Sequence, residues 1–538
     1  MRRIFSFKCY FEPLLKLESD GNRRCFVRLA PNGNRDLLKP YLMWNLPLKK
    51  LTHWISLELA LGVGVLLFCS GFANAQPPGI VLSFTDASSS LTSPKHWGLE
   101  TLYHPEQGLR GSASCATTSC HSGPKAGVST EKTFRGSEYS LWLEEDPHAQ
   151  SWRTLCSDES AKILSKLGIL RDGKVFKADE YQNCLACHNS DRQVAADNIT
   201  PRIVEGVGCE ACHGASERWY DRHFQSPEAK QLAVSSLGLA DTDALVQRAK
   251  VCTLCHVGGR DRDMNHDIIA AGHPALYFDL AVYYESYPKH WRDAEQIDPN
   301  FRSRLWLAGQ IAMADSELEL LQARALKSLP VSTWPELSNY ECTSCHASLS
   351  GIPKPVPSID RLLLARGRAP SREWNLGGVE ALSTYLHQSV PELDNRAEIL
   401  RSTMEAPNPS VSKISEQASS LRNLIHQSLY STGDLSLDQW TNARQINFSA
   451  SRFQNASRMS KWEYASGSYL SAWASSYAMR STELDQAMQT IRHALLFPAD
   501  TQSPKFPRTA KSTNPPNLEQ WHSALRKATT ELSESTHK

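Results

Sequence analysis

Four segments of the chain repeat one arrangement of two cysteines and a histidine, C-x-x-C-H. Two thiols three positions apart can each add to a vinyl group of one porphyrin, and the histidine that follows can bind its iron. With 14 cysteines and 18 histidines in 538 residues, chance would give this pattern about 0.01 times per chain. The pattern therefore predicts covalently bound haem c, with proximal iron ligands, at four frames: Cys184, Cys187 and His188; Cys209, Cys212 and His213; Cys252, Cys255 and His256; Cys342, Cys345 and His346.

A looser frame, C-x4-C-H, is formed by Cys115, Cys120 and His121. The longer insert can bulge outward and leave both thiols near the vinyl groups. Alternatively, Cys120 alone forms one thioether, since Thr117 occupies the usual place of the first cysteine. A Cys115–Cys120 disulfide in a loop is a third interpretation. Because a histidine follows directly, as in the other frames, we predict a fifth haem c with His121 as proximal ligand.

Other chemistry is compatible with cysteine pairs, but it leaves the histidines unexplained. Two adjacent frames, at 184–187 and 209–212, could form a four-cysteine zinc site. Structural disulfides or a thioredoxin-like redox motif would also use C-x-x-C. None of these requires a histidine directly after every pair, so haem is favoured.

Five haems can take up to five further axial ligands, and the haem-bearing half supplies seven histidines outside the frames. Methionine is scarce there, with only Met264 and Met313, so histidine on both faces of the iron is expected to dominate. This supply leaves open whether one iron keeps an open face. The candidate distal ligands are His148, His223, His266, His273 and His290, with His96 and His104 as weaker candidates.

A secretory signal is predicted within residues 43–75. Lys49 and Lys50 precede a short apolar run, and Ala73-Asn74-Ala75 forms a small-x-small cleavage site. The run is short for a membrane span, which takes about 20 residues, so membrane association is expected only if the signal stays uncleaved. Because such signals begin near a start codon, Met43 is predicted as the true start, with residues 1–42 as a non-native extension.

Export predicts a periplasmic protein in an oxidising compartment. Cleavage after Ala75 would leave 463 residues with a net charge of −5. This balance argues against a nucleic-acid partner held by bulk electrostatics.

The remainder divides into a predicted multihaem cytochrome c domain, 76–357, and a helical C-terminal domain, 358–538, after a proline-rich stretch. Regular strand alternation is scarce, so the predicted fold class is mainly α with little sheet. Apolar spacing predicts a helix over 300–329. Trp462, Tyr469 and Trp473 line another helix, where an aromatic stripe usually indicates core.

Several longer motifs resemble the multihaem cytochrome c-554 family. They are the C-x4-C-H at Cys115, Asp146-Pro147-His148, the segment 205–214 around Cys209 and Cys212, Asn265-His266-Asp267 with Ala271-Gly272-His273-Pro274, and Tyr287-Pro288-Lys289-His290-Trp291. The resemblance covers about residues 110–350. It implies stacked and edge-on haem pairs, mostly with two histidine ligands, in a largely helical protein that passes electrons.

The sequence thus predicts an exported pentahaem cytochrome c that transfers electrons by outer-sphere hopping, with donor and acceptor redox proteins as partners. One alternative is an oxidoreductase, of the hydroxylamine-oxidising or nitrogen- or sulfur-oxyanion-reducing type, in which one haem keeps an open face. Another is a scaffold in which the C-terminal helices form an assembly module.

Overall fold

A computed structural model describes a discontinuous set of residues. They are 15–20, 24–29, 108–123, 136–171, 174–175, 178, 181–190, 205–291, 298–326, 334–342, 369–386, 390–432, 437–459, 461–476, 485–486, 488–489, 491–492 and 495. The predicted signal segment and the candidate ligands His96 and His104 lie outside them.

The chain forms two compact units, Met1–Ser93 and Pro94–Lys538. Within the first, strands β1 (Leu15–Asp20) and β2 (Arg24–Leu29) pair antiparallel. This hairpin falls in the segment predicted as a non-native extension, and that prediction is not tested by it.

The second unit is mainly helical, and the predicted fold class is confirmed. Its described sheet is one short antiparallel pair, β3 (Leu170–Arg171) and β4 (Lys174–Val175). The helices before residue 300 are short: α1 (Glu138–Glu145), α2 (Ser151–Leu155), α3 (Asp158–Lys166), α4 (Gln182–His188), α5 (Cys209–His213), α6 (Pro227–Leu232), α7 (Leu245–His256), α8 (His266–Ala271) and α9 (Leu280–Ser286).

The later helices are mostly longer: α10 (Phe301–Ala325), α11 (Gly377–Tyr385), α12 (Glu392–Met404), α13 (Val411–Thr432), α14 (Asn442–Phe453), α15 (Ala456–Met459) and α16 (Trp462–Ser476). Helix α10 confirms the helix predicted over 300–329. Helix α16 confirms the aromatic stripe as core, since Tyr469 is buried and both tryptophans pack against the core.

Helix α10 is buried on almost every side, and its buried positions include polar residues such as Gln310 and Asp315 as well as apolar ones. It packs against the haem-frame helix α7 and against α11 and α13. A Cβ on Gly309 would come within 2.7 Å of Leu280 Cβ, so α9 also lies close. One hydrophobic core therefore joins segments on both sides of residue 357.

A buried ionic cluster fastens α7 and α13 to α10. Asp315 accepts hydrogen bonds from Arg422 Nε at 2.7 Å and His426 Nε2 at 2.6 Å, and it contacts the buried ammonium of Lys250. Lys250 also donates to Ser316 Oγ at 2.7 Å. Burial alone would raise the pKa of Asp315, but the attraction of Lys250, His426 and Arg422 holds it well below its usual value.

Among the described residues, no helix combines the length and the apolar character needed to cross a bilayer.

Replacing Asp315 with asparagine leaves Lys250 buried beside a neutral amide. We expect the variant Asp315→Asn to lower the free energy of unfolding by about 3–5 kcal/mol. Denaturant unfolding followed by far-UV circular dichroism measures this. The control Glu392→Gln removes only an exposed pair with Arg396 and should cost less than about 1 kcal/mol.

The free energy of unfolding lost in Asp315→Asn should depend on pH, and it should be smaller in acid. The folded pKa of Asp315 lies below its unfolded value, so its stabilisation is complete above the unfolded pKa of about 4 and disappears as pH falls through the folded pKa. The difference between wild type and Asp315→Asn should shrink in that acidic window. An equal difference at every pH would contradict this account of the cluster.

Candidate haem-binding site

One continuous cavity of about 2030 Å³ runs through the short-helix part of the second unit. Its walls are mainly apolar, and they carry all the cysteines and histidines of four predicted frames together with four candidate distal histidines. Divided among four frames, the volume is roughly 500 Å³ each, within the range of a site for one cofactor. The lining ligands are Cys115, Cys120, Cys184, Cys187, Cys209, Cys212, Cys252, Cys255, His121, His148, His188, His213, His223, His256, His273 and His290.

Inside the cavity every proximal histidine of these frames faces one candidate distal histidine. Each of the four pairs has its own distance between ring centroids and its own interplanar angle. They are His121 with His223 (6.3 Å, 12°), His148 with His256 (6.1 Å, 86°), His188 with His273 (6.4 Å, 84°), and His213 with His290 (6.3 Å, 63°).

The constant separation fits a metal between the rings. Two imidazoles that bind one iron from opposite sides, with bonds of about 2.0 Å, place their centroids roughly 6.3 Å apart. Such a bridge fixes the distance but leaves each ring free to rotate about its bond. The four pairs show this combination, with separations between 6.1 and 6.4 Å at very different angles. The residues present therefore fit haem iron with two histidine ligands.

Two of these histidines contact carboxylates through Nδ1. His148 Nδ1 lies 2.9 Å from Asp146 Oδ1, and His121 Nδ1 lies 3.2 Å from Glu138 Oε2. Asp146 is buried, which alone would raise its pKa, but hydrogen bonds from His148 and Tyr287 keep the pKa below its usual value. A carboxylate at Nδ1 fixes the ring orientation and directs Nε2 toward a metal.

Three further histidines use neutral oxygen atoms at Nδ1. His188 Nδ1 lies 3.0 Å from the carbonyl oxygen of Ser151, and His223 Nδ1 lies 2.9 Å from that of Tyr220. His273 Nδ1 lies 2.9 Å from the carbonyl oxygen of Pro274. In each case the second nitrogen, Nε2, is the one left to bind iron.

Burial also favours the neutral form of the proximal ligands, which is the form that binds a metal. Desolvation lowers the pKa of His213 to about 4 and that of His256 to about 3. The histidines facing them, His290 and His148, lower those pKa values further through repulsion between the charged forms.

The C-x4-C-H frame has a distinct backbone geometry. The amides of Cys120 and His121 both donate to the carbonyl oxygen of Thr117, at 2.9 and 3.2 Å, so the helical turn begins at Thr117. Cys115 precedes this turn, in the 3-10 helix Ser112–Cys115. Cys115 and Cys120 form no disulfide. A hydrogen bond with Cys209 lowers the pKa of the Cys115 thiol to about 7. Whether Cys115 forms a thioether stays a prediction.

Neither Cys342, of the remaining frame, nor His266, the remaining candidate ligand, is among the described residues that line this cavity. Cys342 is the last described residue before the rest of its frame, and Cys345 and His346 fall outside the described residues. His266 begins helix α8, and its backbone amide donates to Glu336 Oε1 at 2.7 Å. His266 is thus tied to the segment that leads directly into Cys342.

Sequence reasoning missed the residues that orient the ligands. Asp146 stands two positions before His148, a local signal that could have identified it. Glu138 is 17 positions from His121, and Tyr287 is 141 positions from the carboxylate it contacts. No spacing in the sequence indicates those two partners.

Comparison with known proteins matches part of the chain to a protein family. Residues 114–214 match the family model described as cytochrome c554 and c-prime, which confirms the predicted resemblance over that segment. The match indicates a haem c protein of electron-transfer or oxidoreductase type. Searches of the curated proteins and of the solved structures returned no match.

Removing one distal ligand should open one coordination position. We expect His273→Ala to convert a single low-spin ferric haem per molecule to high spin, because His188 would then bind its iron from one side only. Electron paramagnetic resonance (EPR) of the oxidised protein counts the high-spin iron. The control His426→Ala removes a histidine that bonds Asp315 outside the cavity and should create none. A variant His273→Ala that remains fully low-spin would contradict the pairing.

Proposed function

We propose that this chain is an exported pentahaem cytochrome c that conducts electrons between redox partner proteins. The observation that carries the proposal is the equal spacing of four histidine pairs in one cavity. When bound, the haems supply one-electron chemistry, in which one iron is oxidised as its neighbour is reduced. The protein's part is to hold neighbouring haems close together in one mainly apolar cavity.

Contacts between the frames support one order for the path. Cys115, of the frame that ends at His121, hydrogen-bonds Cys209, of the frame that ends at His213. Cys212 in turn interacts electrostatically with Cys252 and Cys255. A haem bound at His213 would therefore be the neighbour of those bound at His121 and at His256.

Ser151 links the pair of His148 and His256 to the frame of His188. Its hydroxyl lies 2.7 Å from the carbonyl oxygen of His148 and 3.0 Å from that of His188. His188 is also near enough to His256 to lower its pKa, after burial and His148. The proposed order of proximal ligands is therefore His121, His213, His256 and His188.

The fifth haem would extend the path beyond His188. The partner of His188 is His273, which lies just past helix α8, and His266 begins that helix. Since His266 is tied through Glu336 to the segment leading into Cys342, we assign His266 as the distal ligand of the haem bound at Cys342, Cys345 and His346. This assignment uses the one strong candidate that the four pairs leave over.

The opposite end of the path is exposed. Cys120 is exposed, and Phe224, whose ring contacts that of His223, has 69% of its surface exposed. A partner redox protein would exchange electrons here, close to the haem edge. With haem propionates added to a mature charge of −5, a partner with a basic docking face is expected.

The competing hypothesis is an enzyme with one open-face haem. Each of the four proximal histidines in the cavity already faces a second histidine, which favours electron transfer at those sites. The open face would then have to belong to the haem at His346. Cyanide or nitric oxide binding to that iron would favour the enzyme.

The exported protein should carry five haems. We expect a pyridine haemochrome titration to give five haems per chain, and the intact mass to exceed that of the polypeptide after cleavage at Ala75 by five haem groups. A colourless protein with the mass of the polypeptide alone would contradict the proposal. Four haems would mean that one frame is empty, either the looser frame at Cys115 or the frame at Cys342, and only the second case would remove the assignment of His266.

Ring orientation predicts the spectrum of the oxidised protein. Parallel imidazole planes split the iron d orbitals along one axis, whereas perpendicular planes largely cancel that splitting. The pair at 12° should give one rhombic low-spin EPR signal, and the pairs at 84° and 86° should give signals with a large g maximum. A high-spin ferric signal in the wild type would instead favour the open-face enzyme.

A further inference from the structure

A buried carboxylate lies between two neighbouring histidine pairs. Asp146 is 3% exposed. Its Oδ1 accepts from the backbone amide and from Nδ1 of His148, each at 2.9 Å. Its Oδ2 accepts from the hydroxyl of Tyr287. The carboxylate is thus held by hydrogen bonds from an amide, an imidazole and a phenol in a low-dielectric surrounding.

The Asp146 carboxylate is also linked, through Tyr287, to a second histidine pair. Tyr287 follows helix α9 and stands three positions before His290, which faces His213. Asp146 acts electrostatically on both His290 and Cys212, which belong to that second site. Asp146 is therefore placed between the second and third positions of the proposed path.

The other histidine partners make this site distinct. His188, His223 and His273 direct Nδ1 at neutral oxygen atoms. His121, which also lines the cavity, contacts a second carboxylate, but Glu138 is more exposed and 3.2 Å away. Outside the cavity, His266 Nδ1 lies 3.8 Å from the exposed carboxylate of Asp267. Among the described ligands, His148 thus has the shortest and most deeply buried contact with a negative charge.

A carboxylate at Nδ1 changes the iron through the imidazole. When Nε2 binds iron, Nδ1 must carry the hydrogen, and Asp146 attracts it and makes the ring a stronger electron donor. A stronger donor and a nearby buried negative charge both stabilise ferric iron over ferrous iron, which lowers the reduction potential. The hydrogen bond from Tyr287 withdraws part of that charge and opposes the effect.

We propose that Asp146 holds the haem between His148 and His256 at a lower reduction potential than either of its neighbours on the path, and that Tyr287 limits how low it falls. The inference rests on the proposed function, because it needs haem between those two histidines. It assigns Asp146 and Tyr287 as positioning residues that set an energy step in the middle of the path.

Two substitutions should move one potential in opposite directions. Asp146→Asn removes the charge and should raise the midpoint potential of one haem, with a smaller rise at its neighbours. Tyr287→Phe removes the opposing hydrogen bond and should lower the midpoint of that same haem. Redox titration of the intact holoprotein, monitored by EPR, follows the two large-g-maximum signals expected from the pairs at 86° and 84°. The variant His273→Ala removes the low-spin signal of the second pair, so the signal that remains belongs to the haem of His148.

The matched control is Glu138→Gln, which removes the other carboxylate that contacts a ligand. It should shift the midpoint potential of the haem with the rhombic signal, which lies between the rings at 12°. The midpoint potential of the haem of His148 should stay unchanged. No shift in Asp146→Asn, or shifts of the same sign in Asp146→Asn and Tyr287→Phe, would overturn the inference. If Asp146→Asn fails to mature, Tyr287→Phe decides alone, since an unchanged or raised midpoint overturns it.

Haem content separates this inference from the function beneath it. A wild-type protein without haem at the four pairs would refute both. A fully haem-loaded, low-spin protein whose potentials ignore both substitutions would refute only the role assigned to Asp146 and Tyr287.

Discussion

An iron atom bound by two imidazoles fixes the distance between the rings, and this constraint governs the haem-bearing half of the molecule. Each pair draws its two histidines from segments that are far apart in the chain: 102 positions separate His121 from His223, and 77 separate His213 from His290. Short helices and turns satisfy such a constraint more easily than a regular sheet, because each needs only to place one ring. The scarcity of sheet in the described residues follows from it.

We expect haem ligation and side-chain packing to stabilise different parts of this chain. The short helices surround the cavity and pack in small hydrophobic clusters, whereas the large core contains residues of α7, α10 and the later helices. Helix α7 belongs to both parts, since it ends in Cys252, Cys255 and His256 and carries Lys250 on its buried side. Asp315 of α10 therefore links this frame, through Lys250, to the C-terminal helix α13, through Arg422 and His426.

Much of this arrangement could be predicted from local patterns. The C-x-x-C-H frames are contiguous, so the proximal ligands follow from the sequence alone, and the helix at 301–325 follows from its apolar periodicity. Candidate distal ligands could be named because histidine is scarce and methionine scarcer in that half, and their binding to iron stays a prediction. Which histidine faces which could not be predicted, since the pairing depends on how distant segments meet. The shared core across residue 357 was also invisible, because the proline-rich stretch indicated a division and gave no information on packing.

The most direct test locates the irons themselves. Crystals of the exported holoprotein measured at the iron absorption edge give an anomalous difference map with one peak per iron. The account predicts a peak midway between the rings of each pair, at His121 and His223, His148 and His256, His188 and His273, and His213 and His290. A missing peak at any of the four, or an iron bound by a different combination of these histidines, would contradict it.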